Sequence, residues 1–330
     1  MLGPIAWRTP PRHYGPWELV TGLLTEGLVA AGVEVTLFAT LDSETTAELD
    51  GVAAHPYAED PAMDGRVWEA IHTAHALNRA AEFDLVHNQL DWLPLTFGGL
   101  SRTPMVTTVH GFSGAAILPA YRRSASTLVS ISDSDRSPDL DYIATIHHGV
   151  DHKVLPFRQE LGEDLVVFGR VHPDKGTATA ISIAKAAGRR LVICGIVHDD
   201  EYFAKEIEPH LDGDRVVYLG SVGPTQRAQV LGSAAALLHP IDFDEPFGLS
   251  VVEAMMCGTP VVAYRRGSMT EVVDVGVTGF LAHDVPSAVD AVHKAVELDR
   301  ARVNEQAVRR FGVARMVDDY LRVYDRILTG

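Results

Sequence analysis

Glu245 and Glu253 stand eight positions apart in the run Glu245, Pro246, Phe247, Gly248, Leu249, Ser250, Val251, Val252, Glu253, around a turn that opens straight into an apolar helix. Pro246 is preset for a helix start, Gly248 lets backbone approach a ligand, and Leu249, Val252 and Met256 recur at helical spacing. The amides of Phe247, Gly248 and Leu249 then point out of a helix N-terminus, where the macrodipole favours a phosphate or another oxygen-rich group. Two carboxylates beside an anion repel it unless each accepts a hydrogen bond from a neutral hydroxyl. A nucleotide diphosphate sugar supplies both needs, the diphosphate for the amides and the sugar and ribose hydroxyls for the glutamates. The plainer alternative is a surface helix with two solvated acids.

A second set of chemistry-bearing residues lies in Val166, Val167, Phe168, Gly169, Arg170, Val171, His172, Pro173, Asp174, Lys175, Gly176. The run predicts a strand, a glycine-containing loop and a helix from Thr177. Arg170 and Lys175 emerge at the C-terminal end of that strand, where open α/β sheets bind their ligands. This makes them a phosphate clamp, against the plainer reading of a turn with two solvated cations. His172 has no comparable support.

The segment EPFGLSVVEAMMCGTPVV resembles retaining glycosyltransferase family 4, whose signature is a Glu, seven residues and a second Glu. The resemblance implies that Glu245 lies near the transferred sugar, that Glu253 binds the ribose hydroxyls, and that Arg170 and Lys175 contact the donor diphosphate. It implies an enzyme, a hexosyltransferase with a nucleotide-sugar donor as substrate and neither cofactor nor metal. Relatives show no clear protein nucleophile, so the departing phosphate takes the acceptor proton on the same face and Glu245 is a positioning and electrostatic residue. Two further matches lie in the first half. His13, Tyr14, Gly15, Pro16 resembles the family's Tyr, Gly, Gly, whose backbone amides lie near donor phosphate or acceptor. Gly15 fits, while Pro16 departs and lacks an N–H. His110, after the apolar run 105–109 and before Gly111, resembles the family histidine beside the transferred sugar, against the plainer reading of a satisfied buried histidine. Relatives carry another histidine two positions after the residue matching His87; here that position is Gln89, and His87 is read as packing.

The elements that must hold these residues alternate. A helix is predicted over 16–31, with Leu19, Val20, Leu23, Leu24 and Leu28 at helical spacing and Gly32 as its stop. Strands are expected at 33–39, 85–87, 105–109, 128–132 and 143–147. After a linker over 148–162, a second series follows at 165–168, 191–194, 216–219, 235–239 and 261–264, with helices between and closing helices at 286–298 and 316–328. Such alternation implies parallel sheets in an α/β fold. The resemblance implies GT-B, two Rossmann-like domains with parallel sheets facing a central cleft: 1–153 on the acceptor side, 154–312 for the nucleotide sugar, and a C-terminal helix over about 313–330 packing back onto the first domain. Met1 and Leu2 leave almost no first strand, and a truncated start is expected.

Composition narrows the class. The chain has 330 residues, 46% hydrophobic, with a formal charge of −16. That surplus of acid argues against nucleic acid, which binds through excess Lys and Arg. Residues 1–150 hold 8 Arg, no Lys and 18 Asp plus Glu, so no basic face for an anionic membrane is found there and a soluble hydroxyl acceptor is expected. Cys194 and Cys257 lie in apolar segments and read as buried thiols in a reducing compartment. No membrane span or leader is found, and a cytoplasmic protein is expected. Asp242, Phe243, Asp244 matches the Asp, any, Asp signature of metal-dependent transferases, yet it runs into the helix-start motif, and no metal is expected. Two other classes stay open: a GT-B nucleotide-sugar epimerase, and a non-catalytic nucleotide-sugar-binding protein. The donor, a UDP- or GDP-sugar, is left open at the base by contacts expected near Gly195 and Gly220 to Val222.

Overall fold

The computed structural model describes residues 1–111 and 114–330. The chain forms two compact units, Met1–Gly149 with Val313–Gly330 (unit 1) and Val150–Gly312 (unit 2). The first crossing therefore falls at Gly149 and Val150, slightly before the expected 153/154 boundary.

Unit 1 holds the strands β1 (Thr36–Phe38), β2 (Glu48–Asp50), β3 (Val86–Asn88), β4 (Met105–Val109), β5 (Thr127–Ser130) and β6 (Tyr142–Thr145). Every pairing is parallel: β1 with β2, and β3 to β6 in sequence order. The N-terminal residues join these two groups. Leu2 bridges Phe38 on one side and Asn88 on the other, both in parallel, and the bonds Phe38 N to Met1 O and Gln89 N to Leu2 O complete the ladder. As expected, these residues form almost no first strand: Leu2 makes isolated bridges only, held between two neighbours already in place. Val86, Met105, Val109, Leu128 and Tyr121 form one core cluster. The helix Pro16–Ala30 packs on Val313–Thr329, where a Cβ at Gly27 would come within 2.4 Å of Val317 Cγ2.

Unit 2 is one six-stranded parallel sheet in the order β12-β11-β10-β7-β8-β9. Its strands are β7 (Leu165–Phe168), β8 (Leu191–Cys194), β9 (Val216–Gly220), β10 (Ala236–His239), β11 (Val261–Tyr264) and β12 (Gly279–Ala282). Leu165, Val167, Leu191, Ile193, Ala236 and Leu238 pack in one cluster with Ile181, Ala184, Ala288 and Val292 of the helices Thr177–Ala186 and Val285–Ala295. These strands are short apolar runs, as strands buried on both faces must be. The strand order reverses between β7 and β10, the position at which open α/β sheets take their ligands.

Candidate active site

The loops following β7 and β10 carry the residues singled out from the sequence. After β7 the chain passes Gly169 and Arg170, makes a tight turn at Pro173–Lys175 and starts the Thr177–Ala186 helix. Gly176 has φ +69, and a Cβ there would sit 1.9 Å from the Pro240 carbonyl oxygen. Only glycine lets this turn lie against the β10 loop, and Asp242 N donates to Asp174 O at 2.8 Å to seal the contact. Lys175 thereby reaches Glu245, with Nζ 2.9 Å from Oε2 and both side chains more than four-fifths buried. The Phe243 ring lies under the ammonium, 4.3 Å from its centroid.

His239, the last residue of β10, faces the same Glu245 oxygen at 3.6 Å through Nε2, a polar contact too long for a hydrogen bond. Burial works to raise the Glu245 carboxyl, but the His239 ring and the Lys175 ammonium overcome it and hold the group down at about 2. Glu245 is therefore an anion pinned between two nitrogen groups. From the other side the loop after β11 braces its backbone: Ser268 N donates to Glu245 O at 2.9 Å. Gly267, at φ +48, leaves no space for a Cβ, which would meet Glu245 O at 2.4 Å and Glu245 N at 2.5 Å.

The helix that follows runs Leu249–Met256, capped by Gly248 at φ 85. It begins three residues beyond Pro246, because the left-handed Gly248 turns the chain into the helix, where Pro246 was expected to do so. Glu253 lies inside it, 5% exposed, with Oε1 accepting from Arg227 Nη1 at 3.0 Å. Arg227 comes from the Pro224–Gly232 helix and lies over the Phe168 ring at 5.0 Å. Arg227 and His239 were not among the sequence candidates. A histidine closing an apolar run before Pro240 was the available signal for His239; Arg227 left none, since it meets Glu253 across 26 residues. Arg170 is half-buried and makes no ion pair among the described residues.

Asp242 pairs with Arg266 at 2.8 Å, while Asp244 accepts from Gly267 N at 3.1 Å. Among the described residues, no group of three or more His, Cys, Asp or Glu is arranged to hold a metal ion.

In unit 1, His110 is buried at the end of β4, stacked on Trp17 with centroids 5.2 Å apart. Its Nε2 lies 2.6 Å from Gln89 Oε1 and its Nδ1 3.4 Å from His148 Nε2. Gly15, at φ 146, caps the Pro16–Ala30 helix, and a Cβ there would come within 2.9 Å of Glu18 Oε2. Glu18 is 3% exposed, accepts from Trp7 N at 3.0 Å, and is pushed up to about 7 by burial.

Residues 156–310 match the family model described as Glycosyl transferases group 1, and residues 18–154 match that described as Glycosyltransferase Family 4. The chain belongs to the family 4 type of glycosyltransferases. It is 28% identical to the D-inositol 3-phosphate glycosyltransferase of Mycolicibacterium smegmatis over 78% of this chain and 70% of that protein. Glycogen synthase of Mycobacterium tuberculosis is 26% identical over 96% of this chain and 90% of its own length. Among solved structures, AviGT4, a glycosyltransferase involved in avilamycin A biosynthesis, superposes with a TM-score of 0.78 at 26% identity, covering 98% of this chain and 93% of AviGT4. The fold is GT-B. No helix of the described residues is long and apolar enough to cross a membrane.

Proposed function

We propose that this glycosyltransferase moves a hexose from a UDP- or GDP-sugar to the hydroxyl of a soluble acceptor, with retention at the anomeric carbon and without a metal. The observation that carries the reading is the Lys175–Glu245 pair at the reversal point of the unit 2 sheet, beside the N-terminus of the Leu249–Met256 helix. An ammonium has three N–H donors, so Lys175 can keep Glu245 on one and offer the others to phosphate oxygens. With Arg170 and the amides of Phe247, Gly248 and Leu249 it stabilises the charge that grows on the diphosphate as the glycosidic bond breaks. Fixed cations at that position take the part a divalent ion would otherwise play. Glu253, oriented by Arg227, receives the ribose hydroxyls, and Glu245 orients the sugar and lies beside its forming positive charge. His110 meets the transferred sugar. Gly15, at the start of the Pro16–Ala30 helix, offers its backbone to the donor when Glu18 beside it is protonated.

A thermal-shift panel of UDP, GDP, ADP and their common sugars, in EDTA and in Mg²⁺, tests the reading, because a ligand bound only by the native state raises its stability. One nucleotide family should raise Tm equally in both buffers, and Glu253→Ala should abolish most of that shift. A shift confined to Mg²⁺, or undiminished in Glu253→Ala, contradicts it.

A further inference from the structure

Away from the donor loops, a file of buried polar groups runs through unit 1. His110 Nε2 lies 2.6 Å from Gln89 Oε1, Gln89 Nε2 lies 3.0 Å from His87 Nε2, and His87 Nδ1 lies 2.6 Å from the Tyr324 hydroxyl. Gln89, His87 and His110 are 1%, 3% and 7% exposed. Thr108 Oγ1 flanks His87 Nε2 at 2.8 Å and is itself 2.7 Å from the Tyr320 hydroxyl. The two tyrosines belong to the Val313–Thr329 helix.

The proton order of this file follows from the amide. A carboxamide has one atom that only accepts and one that only donates. Gln89 Oε1 faces His110, so His110 carries its proton on Nε2. Gln89 Nε2 donates to His87, so His87 Nε2 is a lone pair and its proton sits on Nδ1, directed at the Tyr324 oxygen. We propose that Gln89 is a positioning residue for His110, holding the ring neutral with the proton fixed on Nε2. The proposal rests on the reading that His110 meets the transferred sugar.

The choice of side chain is specific to that task. Glutamate has the same shape as glutamine, but a carboxylate at position 89 favours an imidazolium, whereas an amide oxygen does not. An imidazolium beside a forming glycosyl cation repels it; a neutral ring does not. The surroundings agree. Trp17 stacks on one face of His110 and His148 faces Nδ1; the Met1 amino group acts on His87, though burial lowers it to about 5, and His147 and Arg315 act on His148. Burial drives His110 down to about 3 and both His87 and His148 well below their ordinary value.

The test is the long-range ¹H–¹⁵N spectrum of histidine-labelled protein, with His110 assigned by its loss in His110→Asn, recorded without donor between about pH 5.5 and 8, the window in which a free histidine titrates. The parent should show His110 as a single Nε2–H tautomer that does not titrate. In Gln89→Glu, His110 should titrate within the window, and kcat should fall toward acid while the donor KM stays within about twofold. Gln89→Leu should give mixed tautomers, and Gln89→His, which again offers a lone pair and an N–H, should restore the single form. A parent His110 protonated on Nδ1, or a His110 spectrum unchanged in Gln89→Leu, overturns the proposal. The spectrum is independent of turnover: an ordered His110 in a protein without transferase activity supports the role of Gln89 and counts against the preceding reading instead.

Discussion

At the scale of single residues, the site is a balance of buried charges. Glu245 is held ionised down to about 2 by His239 and Lys175 against the cost of its own burial. Its anionic form is thus present across the whole working range, and no pH change near neutrality switches it. Glu245→Gln keeps the shape and removes the charge; kcat should fall on the order of a hundredfold, the usual scale for losing one electrostatic group at a reacting centre, with donor affinity far less affected. Steady-state kinetics at two pH values checks this, and a loss confined to KM contradicts it. Glu18 behaves in the opposite sense. Its folded-state value of about 7 lies above the ordinary 4.5, so its contribution to stability is fully present below pH 4.5 and is lost as pH rises through 7. Glu18→Gln keeps an acceptor for Trp7 N and cannot ionise. It should be more stable than the parent at pH 8, by at most ~3 kcal/mol, with the gap closing toward pH 5. The buried histidines lose stability in acid, but that contribution is common to both proteins and cancels in the difference. A pH-independent gap in denaturant unfolding contradicts the assignment. The signature residues were readable because Glu245, Gly248 and Glu253 share one short segment. Arg227, His239 and Gln89 act through partners on other elements; only His239 left a local signal, at the end of an apolar run.

Elements place these charges through backbone contacts that tolerate no side chain. Gly267 lies against the backbone of Glu245 and Gly176 against Pro240 O, so the loops after β7, β10 and β11 fit only with glycine at the touching points. Gly267→Ala should lower stability by ~1–3 kcal/mol and displace Glu245, reducing turnover as well. Gly188 is the control: it too has a left-handed φ, +67, but a Cβ there meets nothing within 4 Å. Gly188→Ala should show only the conformational cost, ~1 kcal/mol, with kcat unchanged. Equal kcat values in both variants contradict the bracing role of Gly267. Most strands of the sheets were legible as apolar runs, because strands buried on both faces have little room for polar residues. β2 and β12 were missed: Glu48–Asp50 is a three-residue strand with acidic ends and partly exposed, and Gly279–Ala282 is a four-residue edge strand opening on glycine. The Arg300–Phe311 helix also escaped notice, its Arg-rich sequence masking the buried positions Val303, Ala307 and Phe311. Arg300 itself is 3% exposed and donates to the carbonyls of Arg158, Ala234 and Gly232, a buried cation whose purpose is to satisfy backbone.

For the whole molecule, the charge distribution and the fold point the same way. A chain with a net charge of −16 holds an anionic donor only where cations are placed individually, and the sheet reversal of unit 2 is where Lys175 and Arg170 emerge. The fold class was legible because strands and helices alternate through two series. The parallel bridges of Leu2 to Phe38 and Asn88 were not, since the pairing of a single residue depends wholly on β1 and β3. The central claim is metal-independent transfer with retention, driven by the Lys175 and Glu245 site. Its most direct test is to incubate the protein in EDTA with the nucleotide sugar that raises its Tm and a panel of simple polyol and sugar acceptors, then read the anomeric configuration of the glycoside by NMR. The account predicts a product with the configuration of the donor, absent in Lys175→Ala. An inverted product, or transfer that appears only when Mg²⁺ is restored, contradicts it.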